Sequence, residues 1–471
     1  MARRKNSNDE QLGLFSILDE TVTDVSGETS TVTRLVAAEG LENPTSQTAA
    51  DEQALAQADP RPESREEPQT LEPVQVITDL KAAGEGGYED YAGQPITLTD
   101  DILPPRSPQA RADANIAAIR TLHTLTAEKR WATPEEQHTL AQYSAWGACS
   151  QIFDRTNTAW ADRRSQLEEL VDDATFHALA RTTLTAYYTP PEVIDAMWEG
   201  LRDAGLTTGR VLEPGSGIGG FIRKANNTGQ MVGVETDPIA AGIAKQLYPQ
   251  ADIHNTGFEK LTVPDNTFTA AICNVPFGDI VLNDRHHNPN GFSIHNHFIT
   301  KSLDAVKPGG YVAVLTSSYT SDAAKSDARA AMIDRADLVS AMRLPSQTFR
   351  EVAGTDVTAD LLVFRVREPG QEPTDPSKQW LATTTYRHEN GNIRVNETIE
   401  QYPERILGTP QISTGRFGQP VLTVSPEEGD LKERIVELIR ADLEEIRAEG
   451  RDFTAEQEDR KSTRLNSSHN A

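Results

Sequence analysis

The chain has 471 residues, two cysteines and a formal net charge of −26 at pH 7. This length allows two or three domains, and two cysteines are too few for a disulfide framework or a cysteine zinc site, so a reducing, cytoplasmic setting is expected. No apolar run approaches the roughly 20 residues of a membrane span. The basic N-terminus also lacks the apolar segment of a signal peptide, so no membrane partner is expected.

The negative charge is concentrated at the N-terminus. Residues 1–100 carry 20 acidic and 7 basic side chains and are rich in Pro, Gln, Thr, Ala and Glu. Such a composition cannot bury enough apolar surface to offset the entropy lost on folding, so residues 1–105 are predicted to be a disordered acidic tail. Because the rest of the chain is only mildly acidic, the net charge does not exclude DNA as a partner.

A short apolar stretch interrupts this tail. "QLGLF" resembles the pentapeptide by which bacterial proteins bind the DNA sliding clamp, and its anchors would be Gln11, Leu12, Leu14 and Phe15. A glutamine and two apolar anchors in a flexible segment suit a linear motif that enters a pocket. Five residues often match by chance, so an apolar spot without a partner is an equal alternative.

Two kinds of pattern follow the tail. Residues 106–184 read as a helical segment, with Thr133 and Glu136 placed as a capping box at the start of one helix. Residues 185–367 alternate seven short apolar strands with helical stretches: "GRVLEP", "GQMVGVETD", "ADIHN", "FTAAICNVP", "GGYVAVLTS", "DLVSAMRLP" and "ADLLVFRV". This alternation predicts an α/β domain with a doubly wound, mostly parallel, Rossmann-like sheet.

The C-terminal part is harder to assign. Residues 368–458 are turn-rich and end in an amphipathic helix over 426–448, whose apolar face is expected to serve ordinary packing or a coiled-coil arm. The final segment, 459–471, contains "DRKSTRLNSSH", which matches the translation of a widely used sequencing adapter. We therefore expect an artefact there and a missing C-terminal part after about Glu458.

A glycine-rich turn follows the first predicted strand. In "VLEPGSGIGGFI", Gly215, Gly217 and Gly220 satisfy G-x-G-x-x-G, and Glu213 precedes them. Glu235 ends the next strand, where a carboxylate would accept both hydroxyls of a ribose. This combination fits any nucleoside-containing cofactor, a nicotinamide cofactor included, and the glycines alone would also fit a tight turn.

The stretch "ICNVPFGDI" narrows the class of ligand that this domain is expected to bind. Asn274 lies at the carboxyl end of a later strand, the edge where doubly wound sheets bind ligands. Its side-chain oxygen and the neighbouring backbone carbonyl could both accept from an exocyclic amino group, Pro276 makes the turn rigid, and Phe277 offers a face for stacking. An amino-bearing flat ring such as adenine fits this turn, although for the tetrapeptide alone a strand that ends in a proline turn is the favoured interpretation.

In this order, the motifs over residues 110–366 resemble S-adenosylmethionine-dependent N6-adenine DNA methyltransferases. The narrower resemblance is to the large methylase–helicase proteins of plasmids, phages and integrative elements. The matching segments are "AYYTPPEVI", "LEPGSGIGGF", "GVETDP", "NTGFE", "NVPFGD", "SIHNHFITKSLDAVKPGGYVAVLTS" and "MRLPSQTFREVAGTDVTADLLVF". Val275 departs from the usual Pro-Pro of amino-methyltransferases, but that position contributes its backbone carbonyl, which the change leaves in place.

The resemblance implies a seven-stranded class I methyltransferase sheet, S-adenosyl-L-methionine as cofactor, and DNA with a flipped adenine as partner. The implied catalytic residues are Asn274, Val275, Pro276 and Phe277. The implied cofactor-binding residues are Tyr188, Thr189, Pro190, Glu213, Pro214, Gly215, Gly217, Gly219, Phe221, Glu235, Thr236, Gly257 and Phe258. Methyl transfer to RNA or to protein glutamine, and a non-catalytic DNA-bound protection factor, remain alternatives.

One histidine-rich stretch invites a different interpretation. "RHHNPNGFSIHNH" contains His286, His287, His295 and His297. No cysteine or acid completes an obvious ligand set, so we expect no metal and a substrate-side loop after the catalytic turn instead.

Overall fold

The computed structural model divides into two compact units, Met1–Leu71 and Glu72–Ala471. It describes residues 16–23, 29–36, 91–183, 188–225, 229–350, 357–414 and 420–455. In the first unit, β1 (Ser16–Thr23) pairs antiparallel with β2 (Thr29–Val36). Both strands are rich in Thr and Val, which favour strands, so a hairpin forms within the region that composition alone predicts to be disordered.

Residues 91–105, at the end of the predicted tail, have defined contacts with the rest of the second unit. Leu98 is buried, its N–H donates to the carbonyl of Leu247 at 3.0 Å, and Ala92 N donates to Lys129 O at 2.8 Å. This stretch of the sequence contains apolar residues, and they pack on a neighbouring helix. The contacts of the second unit therefore include residues that the charge pattern assigns to the tail.

The helical segment contains four α-helices. They are α1 (Pro108–Glu128), α2 (Pro134–Ala141), α3 (Ala161–Leu170) and α4 (Asp173–Thr182), with 3-10 turns at Gly147–Phe153 and Thr158–Trp160. The predicted capping box starts α2: Glu136 N donates to the Thr133 hydroxyl at 3.3 Å, and Thr133 N donates to the Glu136 carboxylate at 2.9 Å. The local sequence thus sets where this helix begins.

All seven predicted strands form one sheet. They are β3 (Arg210–Pro214), β4 (Gln230–Glu235), β5 (Asp252–Asn255), β6 (Phe268–Asn274), β7 (Val306–Ser317), β8 (Ala336–Arg343) and β9 (Ala359–Val366). Their order is β5-β4-β3-β6-β7-β9-β8. The first five strands run parallel, and β9 lies antiparallel between β7 and β8. Strand order reverses between β4 and β6, on either side of β3, and ligands of doubly wound sheets bind at such a point.

Helices flank this sheet. In chain order they are α5 (Pro191–Ala204), α6 (Gly220–Lys224), α7 (Pro238–Leu247), α8 (Ile294–Ala305), α9 (Tyr319–Asp322) and α10 (Asp327–Ile333). Every residue of β9 and all but the last of β6 are buried. Burial of this extent is expected for strands that are covered on both faces.

The C-terminal region belongs to the same compact unit. It contains α11 (Asp375–Gln379), β10 (Thr383–His388), β11 (Gly391–Asn396), α12 (Glu397–Gln401), β12 (Thr409–Thr414), β13 (Pro420–Ser425) and α13 (Leu431–Ala448), with a 3-10 turn at Pro403–Arg405. The strands pair as two antiparallel hairpins, β10–β11 and β12–β13.

The amphipathic helix α13 packs along α5. A Cβ added to Gly200 of α5 would lie 2.8 Å from the Ile439 side chain, and Arg440 pairs with Glu199 and Asp203 at 2.8 and 2.7 Å. The apolar stripe predicted from the sequence is therefore used for packing within the unit. Among the described residues, no helix is both long and apolar enough to cross a membrane.

Candidate active site

A cavity of about 320 Å³ opens at the carboxyl ends of β3, β4 and β6. Thirteen of the predicted site residues line it: Tyr188, Thr189, Glu213, Gly215, Gly217, Phe221, Glu235, Thr236, Gly257, Phe258, Asn274, Val275 and Pro276. Pro190, Pro214, Gly219 and Phe277 lie outside the lining. The strand-order reversal places the cavity, because the turns that follow these three strands face the same crevice.

The glycine turn after β3 uses a left-handed backbone. The φ angles are +73° at Gly215, +53° at Gly217 and +88° at Gly219. A Cβ on Gly219 would lie 2.7 Å from the Tyr248 ring, so packing alone requires that glycine. A Cβ on Gly217 would point toward the cavity, 3.8 Å from the Tyr188 hydroxyl oxygen. The absence of a side chain at Gly217 therefore leaves space in the cavity next to Tyr188.

Glu235 links this turn to β4. Its Oε2 accepts from Gly217 N and its Oε1 from Asp237 N, both at 2.8 Å. Burial raises the pKa of Glu235 to about 7, the negative charge of Asp237 adds to the rise, and the N–H donors oppose it. Each carboxylate oxygen keeps one lone pair for a further donor. Two hydroxyl groups, as a ribose would present, match that capacity.

Glu213 has a different role from the one its position in the motif suggests. Its side chain is 2 % exposed, and its Oε2 accepts from Ile222 N at 3.0 Å, in the first turn of α6. Burial raises the pKa of this carboxyl well above its usual value. Glu213 lines the cavity, but its hydrogen bond fixes the glycine turn to the helix that follows it.

The catalytic turn predicted from the sequence follows β6. The Asn274 Nδ2 donates to Thr189 Oγ1 at 3.1 Å, and Val275 N donates to Leu315 O of β7 at 3.0 Å. The turn is thereby fixed by two separate segments. Phe277 is 7 % exposed and lies outside the cavity lining, so its ring does not present the open stacking face that the sequence predicts.

A buried lysine forms hydrogen bonds to the backbone of the segment around Phe258. Lys301 is 1 % exposed; its Nζ donates to the carbonyls of Phe258 and Leu261 at 2.7 and 2.9 Å and to Asp284 Oδ2 at 2.8 Å. The ammonium also lies 4.8 Å from the Phe258 ring centroid. Lys301 was not among the predicted residues, although a lone cation in the apolar run "HFITKSL" was a signal for it.

Residues 102–104 and the helical segment that follows them supply a wall of the cavity that the sequence did not predict. Ile102, Leu103, Pro104, Tyr143 and Ala145 line this side. The Tyr143 hydroxyl lies 3.2 Å from Asp237 Oδ2, two residues beyond Glu235. The sequence carries no signal for this contact, because it joins residues 94 positions apart.

Asn115 of α1 forms hydrogen bonds to the part of this cavity wall that contains Ala145. Its Oδ1 accepts from Ser144 N at 2.9 Å, and its Nδ2 donates to the carbonyl of Ala145. Ala145 has a φ of +53°, a left-handed conformation that is unfavourable for a residue with a Cβ. Backbone strain of this kind persists only where the surroundings over-determine it, and it concentrates near functional sites.

The four histidines do not converge on one point. His295 Nε2 lies 3.0 Å from the Ser293 hydroxyl, His297 Nε2 lies 3.1 Å from Asp284, and His287 Nδ1 lies 3.0 Å from Asp304. Each of these three rings therefore has its own polar partner. The loop that carries His287 contributes Leu282 to the cavity, so part of it faces the candidate site.

The strand order, the parallel pairing and the antiparallel β9 give the central sheet the class I methyltransferase fold. No protein-family model matches the chain. Among curated proteins, 188 residues, 39% of this chain, are 29% identical to "Defense against restriction protein B" of Escherichia phage P1. The match spans only 8% of the length of that relative.

Solved structures give distant similarities. A class I S-adenosylmethionine-dependent methyltransferase of Listeria monocytogenes is 14% identical, with 56% of this chain and 90% of that chain covered and a TM-score of 0.36. A modification subunit of a type I restriction enzyme from Vibrio vulnificus is 15% identical, with 66% and 69% covered and a TM-score of 0.35. The fold assignment rests on the strand order of this chain itself.

Proposed function

We propose that this chain transfers a methyl group from S-adenosylmethionine to the N6 amino group of adenine in DNA. One observation carries the proposal: Asn274 and Pro276 line the same cavity as Glu235 and Gly217. A subsite suited to a nucleoside cofactor is thereby joined to an amide that can accept from an amino group. A nicotinamide oxidoreductase would need the first feature but not the second.

The cavity residues fit this cofactor. Glu235 has two lone pairs left for the ribose hydroxyls, and Phe258 offers an apolar side to the adenine. The Ser216 hydroxyl lines the cavity, is buried, and has no hydrogen-bond partner within the described part of the chain. Tyr188 and Thr189 would contact the methionine part. When bound, S-adenosylmethionine supplies an electrophilic methyl group.

The catalytic turn would act by position and polarisation. Because Asn274 Nδ2 donates to Thr189, its Oδ1 is the atom that would accept from N6, together with the Val275 carbonyl. Two acceptors hold both amino hydrogens and leave the nitrogen lone pair free to attack. Asn274 and the Val275 carbonyl would thus orient this nitrogen toward the methyl group that the cofactor would supply, and the methylated nitrogen would release one proton to water.

The target adenine must leave the duplex to reach this turn. Phe277 is the stacking partner expected from the sequence, but it is 7 % exposed. Either its ring moves when DNA binds, or the Tyr188 ring, which lines the cavity, takes its place. A comparison of Phe277→Leu with Tyr188→Leu would separate these two arrangements.

A second candidate function is a DNA-bound protection factor that keeps the fold without the reaction. The name of the phage relative, "Defense against restriction protein B", favours a role in an anti-restriction system. Such a role would be compatible with methyl transfer or independent of it. RNA and protein glutamine are the alternative substrates, since the Asn-Pro turn also suits their amino groups.

The test uses the full chain, tritiated S-adenosylmethionine and unmethylated genomic DNA, RNA or protein. We expect N6-methyladenine in digested DNA, lowered about 100-fold or more in Asn274→Ala with unchanged cofactor affinity. The matched control is Asn290→Ala, an exposed asparagine on the following loop, which should keep wild-type activity. Full activity of Asn274→Ala would refute the role of the turn.

The remaining outcomes separate the alternatives. Cofactor binding without DNA methylation, together with labelled RNA or protein, would identify another substrate. Cofactor binding without any labelled product would favour the protection factor. Failure to bind S-adenosylmethionine would refute the interpretation of Glu235 and the glycine turn.

A further inference from the structure

Three side chains outside the cavity converge without bonding to one another. One ligand atom each from Asp265, His286 and His287 lies within 4.8 Å of the other two. Asp265 belongs to the connection between β5 and β6, and the histidines belong to the loop after the catalytic turn. We propose that these three residues bind one divalent transition-metal ion such as Zn²⁺, which fastens the two loops together.

The spacing of the group suits an ion better than a direct contact. No ion pair joins Asp265 to either ring in the ranges that the structure describes, although the atoms converge. Ligands at about 2.0–2.1 Å from a tetrahedral zinc lie roughly 3.4 Å apart. A closure of up to about 1.4 Å, within reach of the two exposed side chains, would bring all three into that geometry. Water would complete the fourth position.

His287 already has the outer partner that metal-binding histidines usually have. Its Nδ1 lies 3.0 Å from Asp304 Oδ2, and Asp304 Oδ1 accepts from Arg335 Nε at 2.6 Å. A carboxylate on one ring nitrogen fixes the orientation of the imidazole and raises the basicity of the other nitrogen. Nε2 of His287 is therefore the nitrogen left to bind the ion.

Asp304 also holds the backbone that carries the acidic ligand. Its carbonyl accepts from Asn266 N at 3.0 Å, and the next carbonyl, that of Ala305, accepts from Thr267 N at 2.8 Å. One residue of α8 thus orients the ring of His287 and positions the loop of Asp265. Asp284 fixes the histidine turn, since its Oδ1 accepts from His286 N and His287 N at 3.2 and 3.0 Å. Preorganisation from several sides is what a metal site requires.

The consequence concerns the loop beside the candidate active site. Leu282 and Ile294 flank the histidine turn in sequence, and both line the cavity. A bound ion would tie this loop to the neighbouring connection and limit its movement when substrate enters. The ion binding proposed here does not depend on the methyl-transfer proposal, because the ion lies at neither the glycine turn nor Asn274.

The test is a Zn²⁺ titration of the untagged full chain in competition with a chromogenic chelator. We expect one site whose affinity falls about 10- to 100-fold or more in Asp265→Asn and in His286→Gln. Both positions are exposed, so thermal unfolding without metal should match the wild type. His138→Gln is the matched control, since His138 pairs with Asp100 at 3.2 Å on the surface, and it should bind Zn²⁺ as the wild type does.

Two results would overturn the proposal. One is a wild-type chain that fails to compete with the chelator for Zn²⁺. The other is equal affinity in the wild type, Asp265→Asn and His286→Gln, which would place any bound ion elsewhere. An increase in the unfolding temperature with Zn²⁺ in the wild type and the control, but not in the two ligand variants, would support it.

Discussion

Replacing Glu235 with glutamine should change how the stability of the protein depends on pH. Burial raises the pKa of this carboxyl to about 7 from its usual value of 4.5. Between these two pH values the unfolded state has released the proton while the folded state still holds it. The wild-type protein therefore loses free energy of unfolding as the pH rises through this window, because the half-buried carboxyl must ionise where water is partly excluded.

The size of the effect follows from the shift. Each pH unit between the two pKa values corresponds to about 1.4 kcal/mol, so ionisation costs at most about 3 kcal/mol. Glutamine carries no charge, but its amide nitrogen would face one of the two N–H donors, and the lost hydrogen bond costs about 1 kcal/mol. Glu235→Gln should thus be about 1 kcal/mol less stable than wild type at pH 4.5 and about 2 kcal/mol more stable at pH 8.

Urea unfolding of the ligand-free full chain at several pH values between 4.5 and 8 measures this difference. Subtracting the variant from the wild type removes the contribution of the other titrating groups. A difference that stays constant over the whole range would refute the argument that Glu235 is forced to ionise in a half-buried position. The same variant should bind S-adenosylmethionine more weakly, because one ribose acceptor has become a donor.

Two further predictions concern regions outside the strand ends. Ala145→Gly should leave the free energy of unfolding within about 1 kcal/mol of the wild type. Relief of the left-handed φ, worth about 1–2 kcal/mol, offsets about 0.5–1 kcal/mol of glycine chain entropy and about 0.8 kcal/mol for the buried methyl group. A loss of about 1.5 kcal/mol or more in urea would contradict strain at this position. The wild-type chain should retain the bacterial sliding clamp in a pull-down and the Leu14→Ala, Phe15→Ala variant should not. These two residues lie outside the described part of the structure, and a wild type that fails to bind would end the proposal.

The central sheet was predictable because its signals are local. Each strand is a short apolar run bounded by turn residues, and each of the seven predicted runs contains an observed strand. Parallel strands covered on both faces must be apolar along their whole length, so the pattern is strong. The start of α2 was equally readable, since a capping box lies within four consecutive residues.

The parts of the site that depend on tertiary contacts were not predictable. Nothing near Tyr143 indicates that its hydroxyl meets Asp237, and nothing near Leu103 places it in the cavity wall. Composition likewise does not show that residues 91–105 contact the rest of the second unit, as Leu98 does through its hydrogen bond to Leu247.

The packing of α13 against α5 has a consequence for how the protein can be divided. A fragment that ended after Val366 would contain the whole sheet, yet it would leave the Gly200 side of α5 open to water. It would also lose Phe453, which stacks on Tyr311 with ring centroids 5.8 Å apart, and Arg451, which pairs with buried Asp337 at 2.6 Å. We therefore expect that the smallest part of the second unit able to fold by itself includes α13 and the residues after it as far as Phe453.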